Sequence, residues 1–198
     1  MKNTLLIFIL IFISCKSDPK VEIKTGNESN LEIEEIQETE RGIDKTVYEM
    51  WKNYTEANPE FRDQQMPMSD YFHDNKEDAD RLAELALNGK KKASSSLYFL
   101  YEQYGVDLPE VGKKQIVTDF DGKAQAIIET SRVDTIAFNK ISKNYAQLDM
   151  GTDIEPLKKW KEEHLNFFKT VVPEREQKET DKMLIVCEVF DVIWTKNN

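Results

Sequence analysis

The chain has 198 residues, with 27 Lys and Arg against 37 Asp and Glu and a formal charge of -10, so it has room for one ordinary domain with appendages and not for two large ones. A hydrophobic fraction of 39% with 10% aromatics is enough for a core, and 7 Gly with 6 Pro exclude a collagenous or low-complexity chain. The acidic balance counts against holding duplex DNA by charge, which needs many Lys or Arg on phosphates, and leaves a small anionic ligand open.

The first fifteen residues set the address. Lys2 is followed by an uninterrupted apolar run, Leu5 to Ile13, and then by Ser14-Cys15. A helix of that run would cover about 14 Å at 1.5 Å per residue, roughly half the hydrocarbon core of a bilayer, so the pattern is that of an export signal and not of a permanent span. Phe12-Ile13-Ser14-Cys15 resembles a bacterial lipobox, in which the cysteine is acylated. The expectation is a cell-envelope protein, on the periplasmic or cell-surface side, tied to the membrane through lipid on Cys15. Cys187 then has no partner for a disulfide, and its neighbours Leu184, Ile185, Val186, Val189 and Phe190 predict a buried thiol.

Residues 16 to 41 carry Lys16, Lys20, Lys24 and Arg41 against eight acidic residues and few large apolar ones, the composition of a flexible acidic tether. Residues 42 to 198 are read as one domain. Val47, Met50, Trp51 and Tyr54 recur at helical spacing between Ile43 and Ala57, before Pro59. Asn75 caps a second helix, in which Ala79, Leu82, Ala83 and Ala86 share a face, acidic residues occupy the positive first turn and Gly89 marks the end. Gln115 to Phe120 and Lys123 to Val133 flank Asp121-Gly122 and predict a hairpin with a two-residue turn.

Leu157, Trp160, His164, Phe167, Phe168 and Val171 form one stripe of a further helix, capped by Thr152 or Asp153 and stopped by Pro173. On this reading Trp160, Phe167 and Phe168 are all buried. Met183 to Trp194 is nearly continuous in apolar residues, as for a strand buried on both faces. Helices and strands do not alternate strictly, which disfavours a doubly wound sheet and points to an α+β fold, a small mixed β-barrel with helices packed on it. His73 and His164 have no other His or Cys at metal-ligand spacing, so no metal and no cofactor are expected.

Leu87 to Ser96, reading Leu-Asn-Gly-Lys-Lys-Lys-Ala-Ser-Ser-Ser, resembles the Gly-x-Lys-x-Ala-Thr-x-Ser segment of ASCH domains, which are similar in fold to the PUA domains of RNA-modifying proteins. Pro109-Glu110-Val111-Gly112, Ile127-Ile128-Glu129-Thr130, Phe138, Trp160 with His164 and Phe167-Phe168, and Val186-Cys187-Glu188 follow in the order of that family. The resemblance spans residues 71 to 194. It implies a compact PUA-like barrel whose cleft, lined by the lysine segment, takes RNA or nucleotide ligands, and in some members hydrolyses an amide of acylated cytidine or cleaves RNA.

Carried onto this chain, the resemblance assigns the family lysine to Lys91 and the hydroxyl to Ser94. The family acid falls on Asp149 or Asp153, in a stretch that holds no Glu. Candidate ligand contacts are Lys91, Ser94, Ser96, Tyr98 and Glu129, although Glu129, inside an apolar strand, also suits a structural ion pair. Three functions follow as expectations. The first is binding of a small anionic, nucleotide-like ligand or a single-stranded RNA fragment at Lys91. The second is hydrolysis of an amide or phosphodiester by Ser94 and Lys91 with one of the two aspartates. The third is a non-catalytic interaction module of the envelope. Lys91, placed in a cleft, is expected to be replaceable by Met with little loss of stability.

Overall fold

The computed structural model describes residues 42–172 and 177–198; the apolar run, Cys15, the tether and Pro173 lie outside the described residues. Asp44 opens helix α1 (Lys45–Ala57), its carboxylate accepting from the amide and hydroxyl of Thr46 at 2.9 and 2.6 Å. Val47, Met50 and Tyr54 are its buried row and Trp51 is half-buried. After a short strand β1 (Ser69–Asp70), helix α2 (Lys76–Leu87) starts at Asn75, whose side chain accepts from the Asp78 amide, and ends into Gly89 at φ +66. Both ends are where the side-chain chemistry put them.

Strand β2 (Ala93–Leu97) leads into helix α3 (Tyr98–Tyr104), then β3 (Lys114–Thr118) and β4 (Ala124–Ala137). Helices α4 (Lys143–Met150) and α5 (Pro156–Val171) precede the last strand, β5 (Leu184–Thr195). The sheet order is β1-β3-β4-β5-β2, with β1 parallel to β3 and the other pairs antiparallel. The class is α+β, as expected, but the sheet is open and not a closed barrel. Its first edge is a two-residue strand, too short a ladder to meet β2 at the other edge. The long ribbon of β4 and β5 bends at register shifts near Ile127–Ile128 and Thr130–Arg132, the effect of an extra residue on one strand.

The chain turn between β3 and β4 is longer than predicted. Asp119 donates its amide to the Lys123 carbonyl at 3.0 Å and Gly122 sits at φ +84, so Phe120, Asp121 and Gly122 form a three-residue loop with glycine in the left-handed position. The Asp119 carboxylate adds to it by accepting from the Lys123 amide at 2.9 Å.

Helix α5 departs from prediction in its cap and in its buried face. Its N-cap is Glu155, at φ +49 and with no side-chain capping bond, in place of Thr152 or Asp153. Pro156, Trp160, Phe168 and Val172 are buried, whereas Phe167 is 39% exposed and Val171 is also exposed. With the half-buried His164 between Trp160 and Phe168, the buried residues form an every-fourth row inclined to the helix axis, so the contact line drifts away from Phe167 and Val171. Cys187 is buried and free, as expected, and burial pushes its thiol up to about 12. Among the described residues no helix is long and apolar enough to cross a membrane.

Candidate functional site

The lysine segment is fixed by its backbone before its side chains are considered. Past the end of α2, the amides of Lys90 and Lys91 both donate to the Leu85 carbonyl, at 2.8 and 3.0 Å, and satisfy an orphan acceptor of the last helical turn. The Lys92 amide donates to Leu148 in α4 at 2.8 Å, and its carbonyl accepts from Phe190 in β5 at 2.9 Å. Gly151, at φ +62, ends α4 so close to this segment that a Cβ would lie 3.3 Å from the Lys91 nitrogen. Glycine is required there twice, for its dihedral and for the approach. The end of α4 and the lysine segment are thereby brought together.

Lys90 is exposed and Lys92 half-buried, while Lys91 is buried. The Lys91 ammonium donates to Asp149 twice, to Oδ1 at 2.6 Å and to the backbone carbonyl at 2.9 Å, and the Phe72 ring lies over it at 5.0 Å. Oδ2 of Asp149 accepts from the Ser95 hydroxyl at 2.5 Å and from the Trp160 indole at 2.8 Å. Tyr145 closes the cluster, its hydroxyl donating to the Ser94 carbonyl at 2.6 Å and lying 2.9 Å from Ser95 Oγ. Burial raises the Asp149 carboxyl, but the charges of Lys91 and His164 and the hydrogen bonds from Lys91 and Ser95 outweigh it and hold the group below the ordinary carboxylate value.

His164 stacks on Trp160 with ring centres 4.0 Å apart and donates from Nδ1 to the Trp160 carbonyl at 2.7 Å. That bond leaves Nε2 facing Asp149 Oδ2 at 3.8 Å. Burial lowers the affinity of His164 for a second proton, against the opposing pull of Asp149. Burial likewise raises the Tyr145 phenol, and Asp149 adds to the effect. Lys91, Ser94, Ser95, Asp149 and His164 line a cleft of about 140 Å³, walled by Phe72, Leu82 and Met150 and rimmed by His73, Asp78, Arg81 and Glu163.

Of the residues named from sequence, Lys91, Ser94 and Asp149 meet at this cleft. Asp153 is exposed in the loop before α5, so the acid beside Lys91 is Asp149. Ser96 shares its hydrogen with Tyr101 at 2.7 Å, and Tyr98 is half-buried at the start of α3; neither lines the Lys91 cleft. Glu129 pairs with Lys114 across β3 and β4 at 2.7 Å and also lies outside that cleft.

Sequence reasoning missed the hydroxyl of Ser95. Ser94 and Ser95 point to opposite faces of β2, and Ser95 shares its face with Ala93 and Leu97, the two buried ends of the strand. That alternation was available in the sequence. Tyr145 was missed with α4, although Ser142, whose side chain accepts from the Tyr145 amide, is an ordinary cap signal.

The ASCH domain family model matches residues 68–194. An ASCH domain from Lactobacillus crispatus JV V101 is similar in structure, with a TM-score of 0.66 and 33% identity over 77% of this chain and 97% of that one. A protein of Enterococcus faecalis V583 is similar with a TM-score of 0.64 and 31% identity over 76% of this chain and 90% of that one. No curated protein matches the chain.

Proposed function

The chain belongs to the ASCH domain family, and from that premise we propose that it binds a nucleotide-like ligand, a nucleoside phosphate or the end of a single-stranded RNA, in the cleft around Lys91. The observation that carries this reading is the buried Lys91–Asp149 pair on the cleft wall. Taking two charges out of water costs several kcal/mol per ion, roughly what their attraction returns, and an apolar pair of similar volume is often as stable. Such a pair beside an open cleft is where a ligand gains from fixed donors and acceptors. The third N–H of Lys91 and the hydroxyl of Ser94 supply polar contacts, Phe72 and His164 line the cleft with aromatic surface for a base, and Arg81 at the rim, paired with Asp78 at 2.6 Å, is the cation that would exchange that partner for a phosphate.

In the hydrolytic alternative Lys91 would take a proton from Ser94. Its ammonium instead directs two donors at Asp149, an arrangement that favours binding over base catalysis. For the address, the apolar run before Ser14-Cys15 supports lipid attachment at Cys15 in the cell envelope, with residues 16 to 41 as the tether. A mature mass that lacks both the segment before Cys15 and an acyl addition on it would reject this.

Titration of the full chain with the four ribonucleoside monophosphates and a short single-stranded RNA tests the ligand class. At least one should bind, Arg81→Gln and Ser94→Ala should each weaken it by about three- to ten-fold, and Lys90→Met should leave it unchanged. Failure of every probe, or equal losses from Lys90→Met and Arg81→Gln, would reject the cleft as the site.

A further inference from the structure

A second cleft, of about 370 Å³, lies between α1, the turn joining β3 to β4, and the end of β5. Thr46, Glu49, Met50 and Asn53 of its lining come from α1, Asp119, Lys123, Ala124 and Gln125 from the turn and the start of β4, and Trp194, Thr195, Lys196 and Asn198 from the end of the chain. It is separate from the Lys91 cleft, with which it shares no residue.

The walls of this cleft are held in place. The Thr46 hydroxyl accepts from the Ala124 amide at 2.9 Å and pins the start of α1 to β4. Gln125, buried, donates to the Asp119 carboxylate at 2.9 Å and the Lys123 carbonyl at 3.1 Å, and its oxygen accepts from the Lys196 ammonium. Trp194 is half-buried, and Tyr54 meets it edge to face at 5.7 Å and 78°. Met50 completes an apolar floor beside it.

Around that floor, polar groups remain free to serve a ligand. Among the described residues the side chains of Glu49 and Asn53 and the Trp194 indole N–H make no hydrogen bond to protein. Together they supply carboxylate and amide acceptors and amide and indole donors. The charged lining groups balance, Glu49 and Asp119 against Lys123 and Lys196, and the Lys196 ammonium is already held by the Gln125 oxygen.

We propose that this cleft binds a neutral saccharide, with a sugar ring laid on the Trp194 face and its hydroxyls held by Asn53 and Glu49. A pyranose presents an apolar C–H face and a rim of hydroxyls that both donate and accept. It thus matches an indole floor with mixed amide and carboxylate groups and no net charge. A nucleotide would bring a phosphate toward Glu49 and Asp119 and is the poorer match.

The full chain titrated with maltotriose, cellotriose and triacetylchitotriose, followed by calorimetry and tryptophan fluorescence, tests the proposal. At least one trisaccharide should bind and shift the emission. Asn53→Ala and Glu49→Gln, both on exposed helix surface, should weaken binding by about ten-fold each. Trp194→Phe should remove the emission shift, although Trp51 and Trp160 remain. Saturation with a nucleotide bound at Lys91 should leave the saccharide affinity unchanged, which separates this site from that one. No binding of any of the three at about 10 mM, or binding that survives both Asn53→Ala and Glu49→Gln undiminished, would overturn it.

Discussion

Two lysine–carboxylate pairs of nearly equal length stand in very different surroundings. Lys91 and Asp149 meet at 2.6 Å with both side chains 5% exposed, and Lys114 and Glu129 meet at 2.7 Å with side chains 9% and 37% exposed. Each lysine also lies over a phenyl ring, Phe72 in the first case and Phe61 in the second. The difference is in the carboxylates. Both Asp149 oxygens accept hydrogen bonds from protein, whereas Glu129 keeps a path to water. The first pair is an internal polar assembly beside a cleft, and the second is a clasp between neighbouring strands.

Breaking the pairs from the lysine side should separate them most strongly. Lys91→Met leaves an uncompensated carboxylate in the interior and should cost about 3 to 5 kcal/mol in a denaturant titration. This corrects the sequence-based expectation that Met would be tolerated there, which assumed a lysine facing an open cleft. Trp160→Ala should follow closely, since it removes a fully buried ring and a donor to Asp149, at about 3 to 5 kcal/mol.

Acidification sharpens the comparison further. Burial makes His164 hold its proton less tightly when folded, so its stabilising share is full above the ordinary histidine value of 6.5 and declines as pH falls below it toward the folded value. Asp149 is also lowered, so its share is present above 3.8 and is lost as pH falls through its folded value. Stability measured against pH should therefore drop in two stages, and His164→Phe should lack the first. A single loss confined to acid below 4, identical in both proteins, would contradict the assignment of His164.

Smaller effects belong to the exposed partners. Lys114→Met should cost about 1 kcal/mol or less, because Glu129 can return to solvent. Phe167→Ala, on the same helix as Trp160 but 39% exposed, should cost only about 0.5 kcal/mol. Similar losses from Trp160→Ala and Phe167→Ala would restore the broad apolar stripe that the sequence suggests and the fold does not use.

The parts of the fold that were legible in the sequence are those set by local chemistry. Asn75 and Gly89 bound α2, Val47, Met50 and Tyr54 face the core, and Ile185, Val186 and Cys187 are buried in succession on both faces of β5. The helix periodicity of α5 was legible too, but not which side of its stripe is covered, because that depends on the angle at which it crosses its neighbours. At the site, the family pattern singled out Lys91 among three lysines. It could not decide between Asp149 and Asp153, four residues apart, since α4 ends between them and only the approach of Gly151 to the Lys91 backbone fixes which carboxylate is buried. Ser95 required the facing of β2, and Phe72 required the loop after β1 to fold over Lys91.

On the proposed function, the Lys91–Asp149 pair serves a ligand and is not needed to hold the fold. The measurement that tests it most directly is made on the double variant Lys91→Met with Asp149→Leu, taking denaturant stability and nucleotide affinity together. Stability should stay within about 2 kcal/mol of the parent, since an apolar pair replaces the buried charges and the Trp160 indole and the Ser95 hydroxyl keep Ser95 Oγ at 3.2 Å and the Tyr145 hydroxyl at 2.9 Å as partners, while affinity for the bound nucleotide falls by at least about ten-fold. Full affinity in the folded double variant would reject a ligand role for the pair, and a stability loss as large as that of Lys91→Met alone would make the pair structural.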